Sequence, residues 1–330
     1  MTRINFQEIF GHEVRNIRDS YSEAFPEVER ESIVKLLEWK FFSGVNPGNY
    51  WTLSAEDGSD VAGGYGILDM AISNEAKYGL VADVYTTPKH QKKGVFTQLG
   101  ETVRLPVTKL GYDFAIGFPI RSNVLPGHIK VGWKEAFFMP VYGSFPLLKA
   151  FRSLIRQTYK TEGILSRQFS GIKDEVLGFL DEISDHNDHQ RLISKRFTPK
   201  YLNWRLSRPG VKYTETILKD ADGIQAWVIS RKFYIKAIPI WAILEVQVNS
   251  LNVRQTKILM DHLGGMAVTN KCLILAGCWN PSNAEHLKVG SKTGFLRIGK
   301  QGVIYRQHNH NLSFPLENQI RLSWIDSDTL

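Results

Sequence analysis

The chain has 330 residues, 43% apolar and 22% charged, with 41 lysines and arginines against 33 aspartates and glutamates. That balance excludes a fibrous or disordered chain and gives length enough for two ordinary domains. The net charge of +8 comes without a run of five basic residues or a helix-turn-helix, RRM or zinc-finger signature, so it points to phosphorylated small molecules and not to nucleic acid. No apolar run approaches the roughly 18 residues of a membrane-crossing helix, and the start lacks the apolar core of a signal peptide. No membrane span and a cytoplasmic location are therefore expected. Cys272 and Cys278 lack zinc-site spacing and are expected as buried, reduced thiols.

In chain order, residues 4–45 read as two helical segments separated by Pro26. A turn at Val45–Asn49 leads to strands at Tyr50–Leu53 and Val61–Met70, joined through Glu56–Ser59. Val81–Thr86 is an apolar, β-branched strand, stopped by Thr87-Pro88. A short basic loop follows, His90-Gln91-Lys92-Lys93-Gly94, and then Val95, Leu99 and Val103 recur at helical spacing. A strand, a basic glycine loop and a helix start together suit a pyrophosphate, because the first helical amides have no partner and the helix dipole favours anions there. The same layout is ordinary α/β punctuation, and these residues alone leave both readings open. Neither a Walker loop nor G-x-G-x-x-G is present. Tyr112–Pro119 reads as a strand, Arg121–Val131 as a short helix and Ala136–Val141 as a further strand. Gly143–Phe197 holds a basic amphipathic stretch (Leu147–Tyr159) and a helix pair broken at Asp185–His189.

Gln91-Lys92-Lys93-Gly94-Val95-Phe96 resembles the acyl-CoA loop of the GNAT N-acyltransferase superfamily, [Q/R]-x-x-G-x-[G/A], and departs from it at Phe96. The run from Ser122-Asn123 to His128-Ile129-Lys130-Val131-Gly132-Trp133 resembles that superfamily's Asn-led helix ending Y-x-x-x-G-[FY], with His128 in the tyrosine's place. The resemblance implies an α/β (α+β) fold, a mixed twisted sheet with flanking helices, and acyl-CoA as co-substrate (acetyl-CoA or a 3-hydroxyacyl-CoA) without a metal. It implies that Val84, Tyr85 and Thr86 hold the pantetheine and polarise the thioester, and that Gln91, Lys92, Lys93, Gly94, Val95 and Phe96 hold the diphosphate, with Asn123 also on the cofactor. Asp83 is the candidate base and His128 the candidate acid, since an imidazole titrates near neutrality. The bland alternatives are an Asp83 that orders neighbouring backbone or pairs with a lysine, and a His128 on a helix surface without a role. Trp39, Lys40, Trp133 and Tyr142 are the candidates to contact the acceptor, most aromatics being core.

The chain echoes itself. Trp39-Lys40, Pro47-Gly48, Tyr50 and Asp57-Gly58 recur as Trp204-Arg205, Pro209-Gly210, Tyr213 and Asp222-Gly223. Asn123 with His128-Ile129-Lys130-Val131-Gly132 recurs as Asn283 with His286-Leu287-Lys288-Val289-Gly290. Two tandem GNAT-like domains are expected: a catalytic one over 1–145, a helical linker and the start of the second domain over 146–198, and a degenerate copy over 199–330. The copy has no glycine between Glu245 and Gln255, so one acyl-CoA site is expected, in a monomer or homodimer. The tandem layout, the run Asp83-Val84-Tyr85-Thr86 ahead of Pro88, and the strand end Gly117-Phe118-Pro119 resemble enzymes of bacterial surface-polysaccharide pathways. Those acylate the amine of a nucleotide-linked deoxyamino sugar, often a dTDP-sugar. Another small amine or peptide as acceptor, and CoA binding without turnover, are the other readings. The pairs His308 and His310, and His186 and His189, come without further ligands at a metal-site spacing.

Overall fold

A computed structural model of the chain describes residues 4–9, 13–43, 48–55, 60–70, 72–73, 76–119, 124–147, 163–189, 193–195, 197–235, 237–249, 251, 253–280 and 293–327. Asn123 and the echo at Asn283–Gly290 lie outside these residues, as does most of the stretch Leu147–Tyr159. The first element is a strand, β1 (Ile4–Glu8), which pairs antiparallel with β2 (Asn49–Ala55) from Ile4↔Ala55 to Glu8↔Trp51. The expectation of a helix from residue 4 is corrected by this ladder, which satisfies the backbone of the segment and lets Phe6 pack on the core. Helices α1 (Val14–Ala24) and α2 (Arg30–Leu37) flank Pro26, and α2 runs on into a π-helical turn, Glu38–Phe42. That turn buries Trp39, Lys40 and Phe41 in succession.

There follow β3 (Val61–Asp69), β4 (Tyr78–Thr86), α3 (Val95–Thr102), α4 (Arg104–Lys109), β5 (Phe114–Gly117), α5 (Leu125–Lys130) and β6 (Lys134–Ser144). The later part holds β7 (Gly163–Gln168), α6 (Asp174–His189), α7 (Pro199–Arg205), β8 (Thr214–Asp220), β9 (Gly223–Ile235), β10 (Ile238–Val248), α8 (Val253–Thr269), β11 (Ile274–Cys278) and β12 (Leu296–Gln307). Asp185–His189 is no break between helices but the C-terminal end of α6. Neither a proline nor a glycine falls within Asp185–His189, and the exposed side chains of Asp185 and His186 cost the helix little.

The chain divides into two compact units. Unit 1 comprises Met1–Ala136, Asn203–Val211 and Val303–Phe314; unit 2 comprises Phe137–Leu202, Lys212–Gly302 and Pro315–Leu330. The sheet order in unit 1 is β1-β2-β3-β4-β5, with the residues of β12 from Val303 onward pairing antiparallel with β5. Its meander β2-β3-β4 is antiparallel, and β4 pairs parallel with β5. Trp51, Leu53, Tyr65, Val95, Leu99, Val103, Val107 and Trp133 form a single apolar core between this sheet and helices α3 to α5. Each such side chain contributes about 1.5–3 kcal/mol on burial. The run Gly63-Gly64-Tyr65-Gly66 on β3 admits aromatic rings against the backbone: a Cβ at Gly64 would collide with the Tyr50 hydroxyl, and one at Gly66 with the Phe41 ring.

Unit 2 repeats the succession. Its meander β8-β9-β10 is antiparallel and β10 pairs parallel with β11, from Ile240↔Ile274 to Ile243↔Gly277. β11 in turn pairs antiparallel with β6. The fold is thus a mixed, twisted α/β sheet architecture with flanking helices, laid down twice. Cys272 and Cys278 are both buried and unbridged. No helix among the described residues is long and apolar enough to cross a membrane.

The tryptophans at the head of the sequence echo meet inside unit 1. The Trp39 and Trp204 rings stack at 5.3 Å, and each indole N–H donates to the other residue's carbonyl at 2.8 Å. Trp204→Phe keeps the stack but leaves the Trp39 carbonyl without its donor, so a loss of about 1–3 kcal/mol is expected. Urea unfolding of the two proteins measures it.

Candidate active site

The strand β4 opens away from β5 partway along its length. The parallel ladder runs Tyr78↔Phe114, Gly79↔Ala115, Leu80↔Ile116 and ends there, while β3 stays paired with β4 as far as Gly63↔Thr86. Within that stretch β4 carries a bulge. Gly64 faces Tyr85 and Gly66 faces Ala82, so Asp83 and Val84 together oppose Tyr65. Asp83 takes up the extra residue with a positive φ of 51°, a conformation that aspartate tolerates better than most side chains. The splay leaves the β5-facing edge of residues 81–86 without a ladder partner among the described residues, which is where a carbonyl or amide of a ligand would pair.

The bulge decides where Asp83 goes. Lys40 Nζ donates to both its carboxylate oxygens at 2.9 Å, and the Tyr21 hydroxyl donates to Oδ1 at 3.0 Å. Both ends of the ion pair are buried, with 2% of the Lys40 side chain and 6% of the Asp83 side chain exposed. Of the roles open to Asp83 in the sequence, this is the geometry of pairing with a lysine. Lys40 is equally occupied, pointing inward from the π-turn and not toward an open face. Tyr85 lies beside the pair, its hydroxyl 2.8 Å from Ser20 Oγ, and burial raises its pKa.

After β4, Pro88–His90 forms a single 3₁₀ turn and residues 91–94 turn into α3. Lys92 and Gly94 have positive φ, 62° and 83°, and Gly94 is the N-cap of α3 with no side-chain cap. A Cβ at Gly94 would meet nothing within 4 Å, so the space in front of the first α3 amides is open. Gln91, Lys92, Lys93 and Gly94 are all exposed. The amides of Val95 and Phe96 are among the helix-start groups that lack an intrahelical acceptor. Phe96 does not close this space: its ring turns onto α5, where a Cβ at Gly127 would lie 3.0 Å from it. The large residue at the loop's last position is matched by a missing side chain on the neighbouring helix.

His128 packs edge-on to Phe96 at 5.0 Å and to Trp133 at 5.4 Å between ring centroids. It is 8% exposed, and burial lowers its pKa to about 4, so the ring is uncharged at neutral pH. His128 Nδ1 and Trp133 Nε1 have no hydrogen-bond partner among the described residues. Trp133 sits in the unit 1 core, and Trp39 stacks on Trp204. Tyr142 belongs to unit 2, where it packs against Trp279. The structure therefore brings together Asp83, Lys40 and the splayed strand, and separately Phe96, His128 and Trp133. The sequence reading missed the partners Tyr21 and Ser20 and the Lys40–Asp83 link across 43 positions; the only sequence signal for Lys40 was its place in the Trp-basic echo.

A buried neutral histidine carries a pH signature. Because its pKa is lowered from 6.5 to about 4, the unfolded chain binds the proton first. The stability tied to His128 is fully present above pH 6.5 and is lost as pH falls toward 4. His308, lowered to about 4 chiefly by burial, adds to the same window. His128→Phe is expected to lose less stability than the wild type between those pH values, measured by urea midpoints along the titration.

Unit 2 has its own bulge, between Ile229 and Ser230 across from Leu244. An acidic residue is again buried beside it: Glu245 accepts bonds from the Ser323 hydroxyl at 2.7 Å, the Gln247 amide at 2.9 Å and its neighbour's N–H at 3.0 Å. α8 then starts at Val253 without a preceding glycine.

Residues 6–135 match the family model described as an acetyltransferase (GNAT) domain. No curated protein sequence matches the chain. Among solved structures, a GCN5-related N-acetyltransferase from Anabaena variabilis superimposes with a TM-score of 0.65 at 11% identity, over 93% of this chain and 73% of that one. One from Kribbella flavida gives 0.59 at 12% identity, over 93% and 72%. N-myristoyltransferase of Saccharomyces cerevisiae with myristoyl-CoA bound gives 0.60 at 10% identity, over 100% of this chain and 90% of that one. At such identities the likeness is one of fold. Residues 6–135 are thus similar to an acetyltransferase (GNAT) domain, and the chain shares the fold of these solved structures.

Proposed function

We propose that the protein is an acyl-CoA-dependent N-acyltransferase whose single acyl-CoA site lies in unit 1, and that its acceptor is the amine of a nucleotide-linked deoxyamino sugar. The observation that carries the first part is the open, uncapped start of α3 behind Gly94, set next to a strand that has left its neighbour. In this reading the amides of Lys92 to Phe96 hold the diphosphate, with Lys92 and Lys93 adding charge. The free edge of Val84–Thr86 pairs with the pantetheine and donates to the thioester oxygen, a contribution on the order of a hundredfold or more in rate. The C–N bond forms as the C–S bond breaks, and the proton lost by the amine ends on the departing thiol. The sugar acceptor rests on the resemblance of the β4 run and the tandem layout, and the net charge of +8 suits two diphosphate-bearing substrates.

Asp83 and His128 remain the candidates for moving that proton. One observation favours a second reading, CoA binding without turnover: the carboxylate is locked to Lys40, and the imidazole is buried and uncharged. Thiol release from acetyl-CoA or a 3-hydroxyacyl-CoA, followed across a panel of dTDP- and UDP-amino sugars, decides between them. Release with one such sugar supports the enzyme; tight CoA binding with no release on any amine supports the sensor.

A further inference from the structure

The loop that leads into α3 is braced from behind by side chains the mechanism does not use. Asp60, just ahead of β3, takes Lys89 Nζ on Oδ1 at 2.7 Å and His90 Nε2 on Oδ2 at 3.2 Å. The other ring nitrogen, His90 Nδ1, lies 2.8 Å from Thr87 Oγ1. Thr87 is fully buried and is tied to β3 twice, its N–H and its hydroxyl both reaching the Ala62 carbonyl, at 3.0 and 3.2 Å. The backbone closes the turn, with His90 N–H on the Thr87 carbonyl and Gln91 N–H on that of Pro88. His90, the residue immediately before Gln91, thus has a polar neighbour at each ring nitrogen, Asp60 ahead of β3 and Thr87 after β4.

We propose that Asp60, His90 and Thr87 form a bracket that sets the position of the Gln91–Gly94 loop, making His90 a positioning residue for the diphosphate of the acyl-CoA. The inference rests on the reading of that loop given above. Two residues of the loop sit at positive φ, and the loop is exposed, so little besides its root fixes where its amides point. The root is this bracket. Asp60 also draws the Lys89 ammonium back to β3, leaving Lys92 and Lys93 as the lysines of the loop itself.

The test is calorimetric titration of the full chain with acetyl-CoA, beside binding of S-acetylpantetheine, which lacks the diphosphate, followed by NMR. His90→Ala and Asp60→Ala are each expected to weaken acetyl-CoA about tenfold, as a loop displaced by a fraction of an ångström would, while S-acetylpantetheine is unaffected. The double variant is expected to match the weaker single, because both remove one bracket. His90→Gln, which keeps an N–H for Asp60, should recover part of the loss. If S-acetylpantetheine weakens in parallel, the side chains serve the fold at large and the proposal falls. Equal acetyl-CoA affinity in wild type and His90→Ala also overturns it while leaving the site intact. Failure of the wild type to bind acetyl-CoA removes the site reading and this inference together.

Discussion

Glutamate in place of Gly94 is expected to weaken acetyl-CoA binding by at least about a hundredfold, or about 2.7 kcal/mol. Two effects add. The position has a φ of 83°, where a side chain costs about 1–2 kcal/mol, and the loop relieves that strain by moving its amides. The new carboxylate also stands before the same uncapped amides and offers them an internal anion, so it both competes with and repels a diphosphate. There is room for it, since nothing lies within 4 Å of a Cβ there, and an acidic residue at a helix start favours the helix. The melting temperature should therefore change little while affinity collapses. Gly94→Ala separates the two effects, carrying the strain without the charge. Titration with acetyl-CoA reads all three proteins, and unchanged affinity in Gly94→Glu would place the diphosphate elsewhere.

The strand, loop and helix start of the proposed cradle were legible in the sequence because they are local. A β-branched strand, a proline stop, a glycine and a helical stripe fall within about twenty consecutive residues, and each rests on short-range backbone physics. The strand β1 was not legible, since it exists only through its ladder with β2, more than forty residues later, and its short run carries too few residues to fix a period. The bulge at Asp83 was hidden for a related reason. Alternation along a strand assumes an unbroken pleat, and only the register against β3, Gly64↔Tyr85 and Gly66↔Ala82, reveals the extra residue. Phe96 illustrates the converse. Its conflict with the family loop is resolved by Gly127, thirty-one positions away, and no local pattern links the two. The Trp39 and Trp204 echo was visible as sequence, whereas the reciprocal hydrogen bonds it makes needed coordinates.

The largest loss of stability is expected from Lys40→Met. The substitution preserves length and apolar volume but leaves the Asp83 carboxylate buried beside Tyr21 without its ammonium. Removing one member of a buried ion pair typically costs about 3–5 kcal/mol, because desolvation of the remaining charge is no longer offset. Against a total stability of about 5–15 kcal/mol that is a large fraction, and it corresponds to a fall in melting temperature of roughly 6–20 °C. Lys40→Met combined with Asp83→Asn removes the stranded charge and should be more stable than Lys40→Met alone, a coupling that a thermal melt of the three proteins reveals. The same set separates the two roles of Asp83. If it only anchors the bulge, the double variant, once folded, retains kcat within a few-fold; if it takes the amine's proton, kcat falls by about 10²–10⁴ however well the protein folds. A carboxylate that accepts from a buried ammonium and a phenol is set as an anchor of the bulge, so the geometry favours that role. The double variant is the protein in which that preference is put at risk.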